Sequence, residues 1–202
     1  MTTRSNARLR LVERDEAAAR LHPLYDRADA AMRDGQMPGP TLFGNQIRAL
    51  AHNPALLAAL TQVYSAFAET GSVDRKLVEM GILIVSRVNA CQYCVHHHAP
   101  LAHGAGLTQP QLEAIQKDEW NDSVELWSEE ERLVIRYAEQ MTTAPHAIRD
   151  ELFTQMRARF TDRQIVELTL RFALCSAWNK FNDALQLDTE SAVQQAFAEL
   201  GV

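Results

Sequence analysis

The stretch Asp74-Arg-Lys-Leu-Val-Glu-Met-Gly-Ile-Leu-Ile-Val-Ser-Arg-Val-Asn-Ala-Cys-Gln-Tyr-Cys-Val-His-His-His98 decides the fold. A helix starts near Asp74 and carries Leu77, Met80, Ile82, Leu83, Ile84 and Val85. It is apolar nearly all round, so it belongs at the centre of a molecule, covered by other helices. Asn89-Ala90 breaks it, and a further helix begins at about Cys91 and ends at residues 104–106. No Val/Ile-rich alternating segment and no Asn-Gly hairpin signal occurs in the sequence. The expectation is an all-α fold.

The flanks read the same way. Upstream, the pattern predicts a first helix over residues 11–33, with Pro23 as a kink or break. Residues 35–40, rich in Gly and Pro, form a loop, and Thr41 caps a short helix running to Ala51. Asn53-Pro54 is an N-cap followed by Pro at the first helical position, opening a helix to about Glu69. Downstream, Thr108 with Pro110 starts a helix through Lys117. Ser128-Glu-Glu-Glu131 is a capping box for a helix to Met141, and a helix over residues 147–160 follows. Thr161-Asp-Arg-Gln164 is a second capping box, leading a long helix to about Leu185. Residues 190–200 make a last, loosely attached helix. All of residues 1–202 are expected in one all-α domain.

An internal repeat organises this chain. Asp74-Arg-Lys-Leu-Val-Glu79-Met reads against Asp162-Arg-Gln-Ile-Val-Glu167-Leu. At that offset Cys91 falls on Asn179, Tyr93 on Phe181, Cys94 on Asn182 and His98 on Gln186. We read two related helical hairpins, the first over about residues 54–106 and the second over about 147–187. Residues shared by both copies are expected to be scaffold, and residues found in one copy only are candidates for chemistry.

Composition narrows the function classes. With 26 acidic and 20 strongly basic side chains, the formal net charge is −6. That argues against a nucleic-acid partner, which would need a basic face. Residues 1–10 are polar with no apolar run after them, unlike a secretory signal. The most apolar stretch, residues 80–85, is far too short to span a bilayer. No membrane association and a cytoplasmic location are the expectations. Three cysteines in a chain of 202 residues do not make a disulfide scaffold. In a reducing compartment a Cys-x-x-Cys pair is more often catalytic or metal-binding than structural.

Only the first copy holds Cys91, Cys94 and His98. On a helix, Cys94 is flanked by Cys91 one turn before and His98 one turn after. The thiols are close enough to form a disulfide with modest adjustment. His98 can hydrogen-bond Cys94 and take its proton, the logic of an activated nucleophile. Spacing alone leaves open which sulfur attacks. Cys91 sits nearer the positive end of the helix; Cys94 has the histidine. We favour Cys94 as nucleophile and Cys91 as its resolving partner. Glu79, on the preceding helix, can orient the imidazole if the two helices pack antiparallel. The competing account is a buried structural glutamate, since Glu167 holds the matching position with no cysteine or histidine beside it.

Glu79-x11-Cys91-x-x-Cys94-x3-His98, followed by Ala102 and Gly106-Leu107-Thr108, resembles the carboxymuconolactone decarboxylase superfamily, and within it the alkylhydroperoxidase D-like branch. The resemblance is strong over residues 74–108. It implies an all-α helical bundle assembled as a homo-oligomer, a trimer or hexamer. It implies a thiol-dependent peroxidase or disulfide-reductase activity on a small hydroperoxide or a disulfide. In the family scheme Glu79 and His98 relay a proton from Cys94, the thiolate attacks peroxide, and Cys91 resolves the sulfenic acid to a disulfide. No resident cofactor is implied. An external dithiol restores the pair, and in the best-known peroxidase members that donor is a lipoyl group on a partner protein. The sequence departs from those peroxidases at Tyr93, where they have histidine.

Two rivals stand beside this reading. One is a structural zinc site, since Cys91, Cys94, His96, His97, His98 and His103 crowd a short stretch. Successive histidines on a helix point about 100° apart, however, so few share a face with the thiols. His96 and His97 are then expected to be exposed or at a subunit contact. The other rival is a non-enzymatic helical assembly protein with a vestigial redox motif. Cys175 reads as an ordinary buried small side chain. Phe43, Tyr64 and Phe67 can line an apolar entrance to the site, with a core role favoured.

Overall fold

The computed structural model describes residues 6–33 and 43–202. Among the described residues ten α-helices follow one another: α1 His22–Arg33, α2 Gly44–Leu50, α3 Pro54–Thr70, α4 Arg75–Val88, α5 Gln92–Gly104, α6 Gln109–Gln116, α7 Glu129–Thr143, α8 Asp150–Arg159, α9 Asp162–Leu185 and α10 Ser191–Leu200. Short 3-10 turns sit at Ala19–Leu21, Val124–Leu126 and Pro145–Ala147. No strand occurs among the described residues, and none of their helices is long and apolar enough to cross a membrane.

Helix starts follow the capping chemistry. Asn53 accepts from the Leu56 N–H, with Pro54 opening α3. Ser128 and Thr161 each complete a reciprocal capping box, with Glu131 and Gln164. Asp74 caps α4 by accepting from the Lys76 N–H at 2.7 Å.

Helix α4 is central. Met80, Leu83, Ile84 and Val85 are fully buried, each removal from water contributing about 2 kcal/mol. It packs against α5, α7 and α9. Gly81 lets α9 come close: a Cβ there would lie 2.2 Å from the Phe172 ring. A second apolar cluster joins Val12, Leu21 and Tyr25 to Ile47, Leu50 and Leu57. A third surrounds the cysteine pair, with Phe43, Tyr93, Leu101 and Leu187.

Several local expectations change. The first helix begins only at His22, because Pro23 sits in its first turn, where a missing N–H costs nothing; residues 11–18 are irregular, with a turn and bend over 14–17. Thr41 and the loop over residues 35–40 lie outside the described residues; the first described residue before α2 is its N-cap, Phe43. The last helix is firmly docked. Val193 is buried, Gln109 Nε2 donates to the Leu200 carbonyl at 2.8 Å, and the Glu190 side chain, 9% accessible, sits among polar partners.

The two repeat copies share helix pattern but not continuity. Helices α3 and α4 correspond to α8 and α9. The first copy then breaks at Asn89-Ala90, whereas α9 runs through the corresponding Ala177-Trp178 without interruption.

Candidate active site

The turn between α4 and α5 makes the site. Ala90 takes a left-handed conformation, φ 58°, and Cys91 becomes the N-cap of α5 with extended backbone. The Cys91 N–H donates to the Ser86 carbonyl at 2.9 Å. Helix α9 braces the turn: Asn89 Nδ2 donates to Asn179 Oδ1 at 2.8 Å and to Ser176 Oγ at 3.2 Å.

Cys91 Sγ donates to Cys94 Sγ across 3.2 Å, and all three cysteines are unbridged thiols. Cys94 lines a cleft of about 610 Å³, open mouth included, together with Glu79 and His98. Cys91 does not line that cleft and is completely buried. Its thiol is pushed well above the ordinary range, first by its hydrogen bond to Cys94 and then by burial.

Glu79 and His98 meet as the antiparallel packing requires. His98 Nδ1–H donates to Glu79 Oε2 at 2.8 Å, and Glu79 is 5% exposed. Arg75 Nε lies 4.0 Å from the other carboxylate oxygen. With Nδ1 held this way, Nε2 is the ring nitrogen left for the cleft. His98 is thus bonded to Glu79, while the partners of Cys94 Sγ are Cys91 and Asn182.

The glutamate of the second copy does something else. Glu167 accepts from the Ser72 N–H at 2.8 Å and from Arg171 Nε at 3.1 Å. It ties the end of α3 to α9. The structural account weighed for Glu79 therefore describes Glu167.

Aromatic rings surround the mouth. Phe43, Tyr64, Phe67 and Trp178 all line the cleft; the core role favoured from sequence holds for Phe43, which is buried in the cluster around the cysteines, and not for the half-buried Tyr64 and Phe67. Trp178 Nε1–H donates to the Tyr64 hydroxyl. The Arg171 guanidinium stacks 4.2 Å above the Phe67 ring. Cys175 also lines the cleft, and burial pushes its thiol up to about 12.

His97 is not exposed, as had been expected, but 1% accessible. Its Nδ1–H donates to the Tyr93 carbonyl at 2.7 Å, and its Nε2 lies 2.9 Å from Glu190. Tyr93 is buried too, its hydroxyl donating to Glu190 at 3.2 Å. His96 turns to Thr189 and His103 to the Leu107 carbonyl. The helical twist thus sends the histidines to different partners. Among the described residues no three His, Cys, Asp or Glu side chains are arranged to hold a metal ion.

Sequence reasoning missed two residues here. Asn182 Nδ2 donates to Cys94 Sγ at 3.2 Å, and Gln46 Nε2 donates to Asn182 Oδ1 at 3.1 Å. The signal for Asn182 was available, since the repeat register sets it opposite Cys94.

The sequence model of the Carboxymuconolactone decarboxylase family matches residues 54–130, a span that contains Glu79, both motif cysteines and His98. The uncharacterised protein YdfG of Bacillus subtilis is 26% identical over 120 residues, 59% of this chain and 80% of its own. Among solved structures, the alkylhydroperoxidase AhpD core of a peroxidase-related protein from Ralstonia eutropha superposes with a TM-score of 0.79 at 16% identity, covering 95% of this chain and 96% of that one. The debrominase Bmp8, bound to 2,3,4-tribromopyrrole, superposes with a TM-score of 0.75 at 18% identity, covering 96% and 98%. At such identities the structural likeness concerns the fold, and Bmp8 demonstrates that this fold carries more than one activity.

Proposed function

The chain belongs to the carboxymuconolactone decarboxylase superfamily and has the fold of its alkylhydroperoxidase D-like branch, and on that footing we propose a dithiol peroxidase that reduces organic hydroperoxides. One observation carries this reading above the others. Two thiols lie 3.2 Å apart, and only one of them, Cys94, faces a cleft that also holds the Glu79–His98 pair.

The chemistry follows from that asymmetry. His98 Nε2 takes the Cys94 proton, the resulting thiolate attacks the terminal oxygen of the hydroperoxide, and the O–O bond breaks. Sulfur is oxidised to the sulfenic acid, and the alkoxide takes a proton from His98 Nε2 to leave as alcohol. Glu79 holds the imidazole through Nδ1 and so keeps Nε2 turned to the transfer. The Cys91 thiol then attacks the sulfenic sulfur, forming the disulfide and releasing water. An external dithiol exchanges with that disulfide, returning both thiols and leaving oxidised itself. Aromatic walls support an apolar organic hydroperoxide over hydrogen peroxide, because a ring recovers contact area there that a small polar molecule does not.

A thiol count before and after one equivalent of cumene hydroperoxide tests this. Wild type is expected to lose two of its three thiols, and Cys94→Ser none. No loss in either protein would put a non-catalytic assembly role ahead.

A further inference from the structure

Three amide and backbone groups form a line that ends on the reacting sulfur. The Phe43 N–H donates to Gln46 Oε1 at 3.1 Å. Gln46 Nε2 donates to Asn182 Oδ1 at 3.1 Å, and Asn182 Nδ2 donates to Cys94 Sγ at 3.2 Å. Gln46 is 2% exposed and Asn182 1%. The direction of this line is fixed at its far end. A backbone N–H only donates, so Gln46 must turn its oxygen toward Phe43 and its NH₂ toward Asn182. Asn182 must then accept through oxygen, which leaves its NH₂ aimed at the sulfur. The backbone at the start of α2 thereby imposes a donor on Cys94, on α5, through a side chain of α9.

We propose that Asn182 is a catalytic residue of the thiol chemistry, a fixed neutral donor to the anionic sulfur of Cys94, and that Gln46 is the positioning residue that sets its polarity. Cys94 Sγ then receives two donors, the Cys91 S–H and the Asn182 N–H. Such convergence suits a thiolate, because a hydrogen bond to a charged acceptor in a buried site is worth more than one to a neutral acceptor. The donor acts twice. It stabilises the sulfur anion that attacks peroxide, and it stabilises the same anion when Cys94 leaves the disulfide during reduction. The amide gains and loses no proton in either step. Helix α9, which carries no cysteine or histidine of the motif, thus supplies part of the chemistry from the position that mirrors Cys94.

The inference rests on Cys94 being the attacking sulfur, and its test separates the two claims. Iodoacetamide alkylation is followed by peptide mass as a function of pH in wild type, Asn182→Leu, Asn182→Asp and Gln46→Glu. Leu matches Asn in size and removes the donor; Asp keeps the oxygen that Gln46 contacts. Gln46→Glu leaves Asn182 intact but offers it only acceptors, so the amide turns over and presents oxygen to the sulfur. Each variant is expected to slow Cys94 alkylation at pH 7 by about tenfold and to match wild type in strongly alkaline buffer, where formation of the anion no longer depends on a donor to the sulfur. Circular dichroism run alongside identifies a misfolded variant, and the remaining variants carry the comparison. Wild-type alkylation falling first on Cys91 would overturn the assignment of the nucleophile. Alkylation falling on Cys94 at an unchanged rate in folded variants would overturn the role of Asn182 alone.

Discussion

Cys175 shares the cleft with Cys94 but not its surroundings. Its sulfur lies 3.4 Å from Ser86 Oγ and 3.7 Å from the Ile82 carbonyl, and burial raises its thiol from about 9 to about 12. At neutral pH it should resist alkylation until the protein unfolds. The same shift has a consequence for stability. Because the folded value is raised, the buried neutral thiol supports the fold below pH 9, and that support is lost as pH rises toward 12. Urea midpoints measured between pH 8 and 11, a window set by that shift, should fall with pH in wild type and fall less steeply in Cys175→Ala. The slope is lessened rather than removed, since Cys91 is raised too. An identical slope in both proteins would mean that Cys175 does not titrate with the fold. The sequence marked Cys175 as a buried bystander from its helical neighbours, and its position against α4 supplies the reason. It did not single out Asn182, although the repeat register set it opposite Cys94, because an amide in a motif-free helix has no chemical signature of its own.

Helix α4 shows what made the fold legible. Its apolar run has no polar face, so it had to be central, and the capping residues Asn53, Asp74, Ser128 and Thr161 fixed where neighbours begin. Illegible were the features that depend on two elements at once. Pro23 was compatible with a kink inside a long helix or with a first turn, and only packing decides between them. Gly81 is the clearest case, since nothing local demands glycine there. It admits the Phe172 ring, which is itself 1% exposed. With a Cβ 2.2 Å from that buried ring, either the Phe172 ring must repack or α4 and α9 must separate. Gly81→Ala should therefore destabilise by about 3 kcal/mol, despite the gain in helix propensity of about 1 kcal/mol. Chemical denaturation reads this directly, and Gly81→Ala combined with Phe172→Leu should recover part of the loss. A neutral or stabilising Gly81→Ala would mean that the α4–α9 crossing is looser than the structure has it. Both cysteines and His98 hang from this crossing through the Asn89–Asn179 contact, so the variant should also slow Cys94 chemistry.

At the scale of the molecule, the chain's last helix closes over the motif helix through one carboxylate. Glu190 takes the Asn45 backbone N–H at 2.5 Å and the Tyr93 hydroxyl at 3.2 Å, with His97 at 2.9 Å. Burial opposes its charge, but His97 and the Asn45 N–H hold its carboxyl below the ordinary range. One group therefore joins α2, α5 and α10 around the aromatic cluster of Phe43, Tyr93 and His97, whose Phe43 and His97 rings are 4.0 Å apart. This clamp was not legible beforehand, because its members are far apart along the chain and carry no motif. A depressed carboxylate contributes stability above its unfolded value, near 4.5, and loses it as pH falls through the lower folded value. Glu190→Gln keeps an oxygen for Asn45 but removes the charge facing His97. It should cost about 3 kcal/mol at pH 7, and the gap to wild type should narrow as pH drops below about 4.5. Urea unfolding at pH 7, 5 and 4 measures both. A gap that stays constant across that range would show that the carboxylate's charge contributes nothing and that α10 is held by Val193 and its apolar neighbours. A narrowing gap, together with increased proteolytic release of residues 190–202 in the variant, would make the C-terminal helix a part of the active-site enclosure, because the same Phe43 ring that packs on His97 also lines the cleft above Cys94.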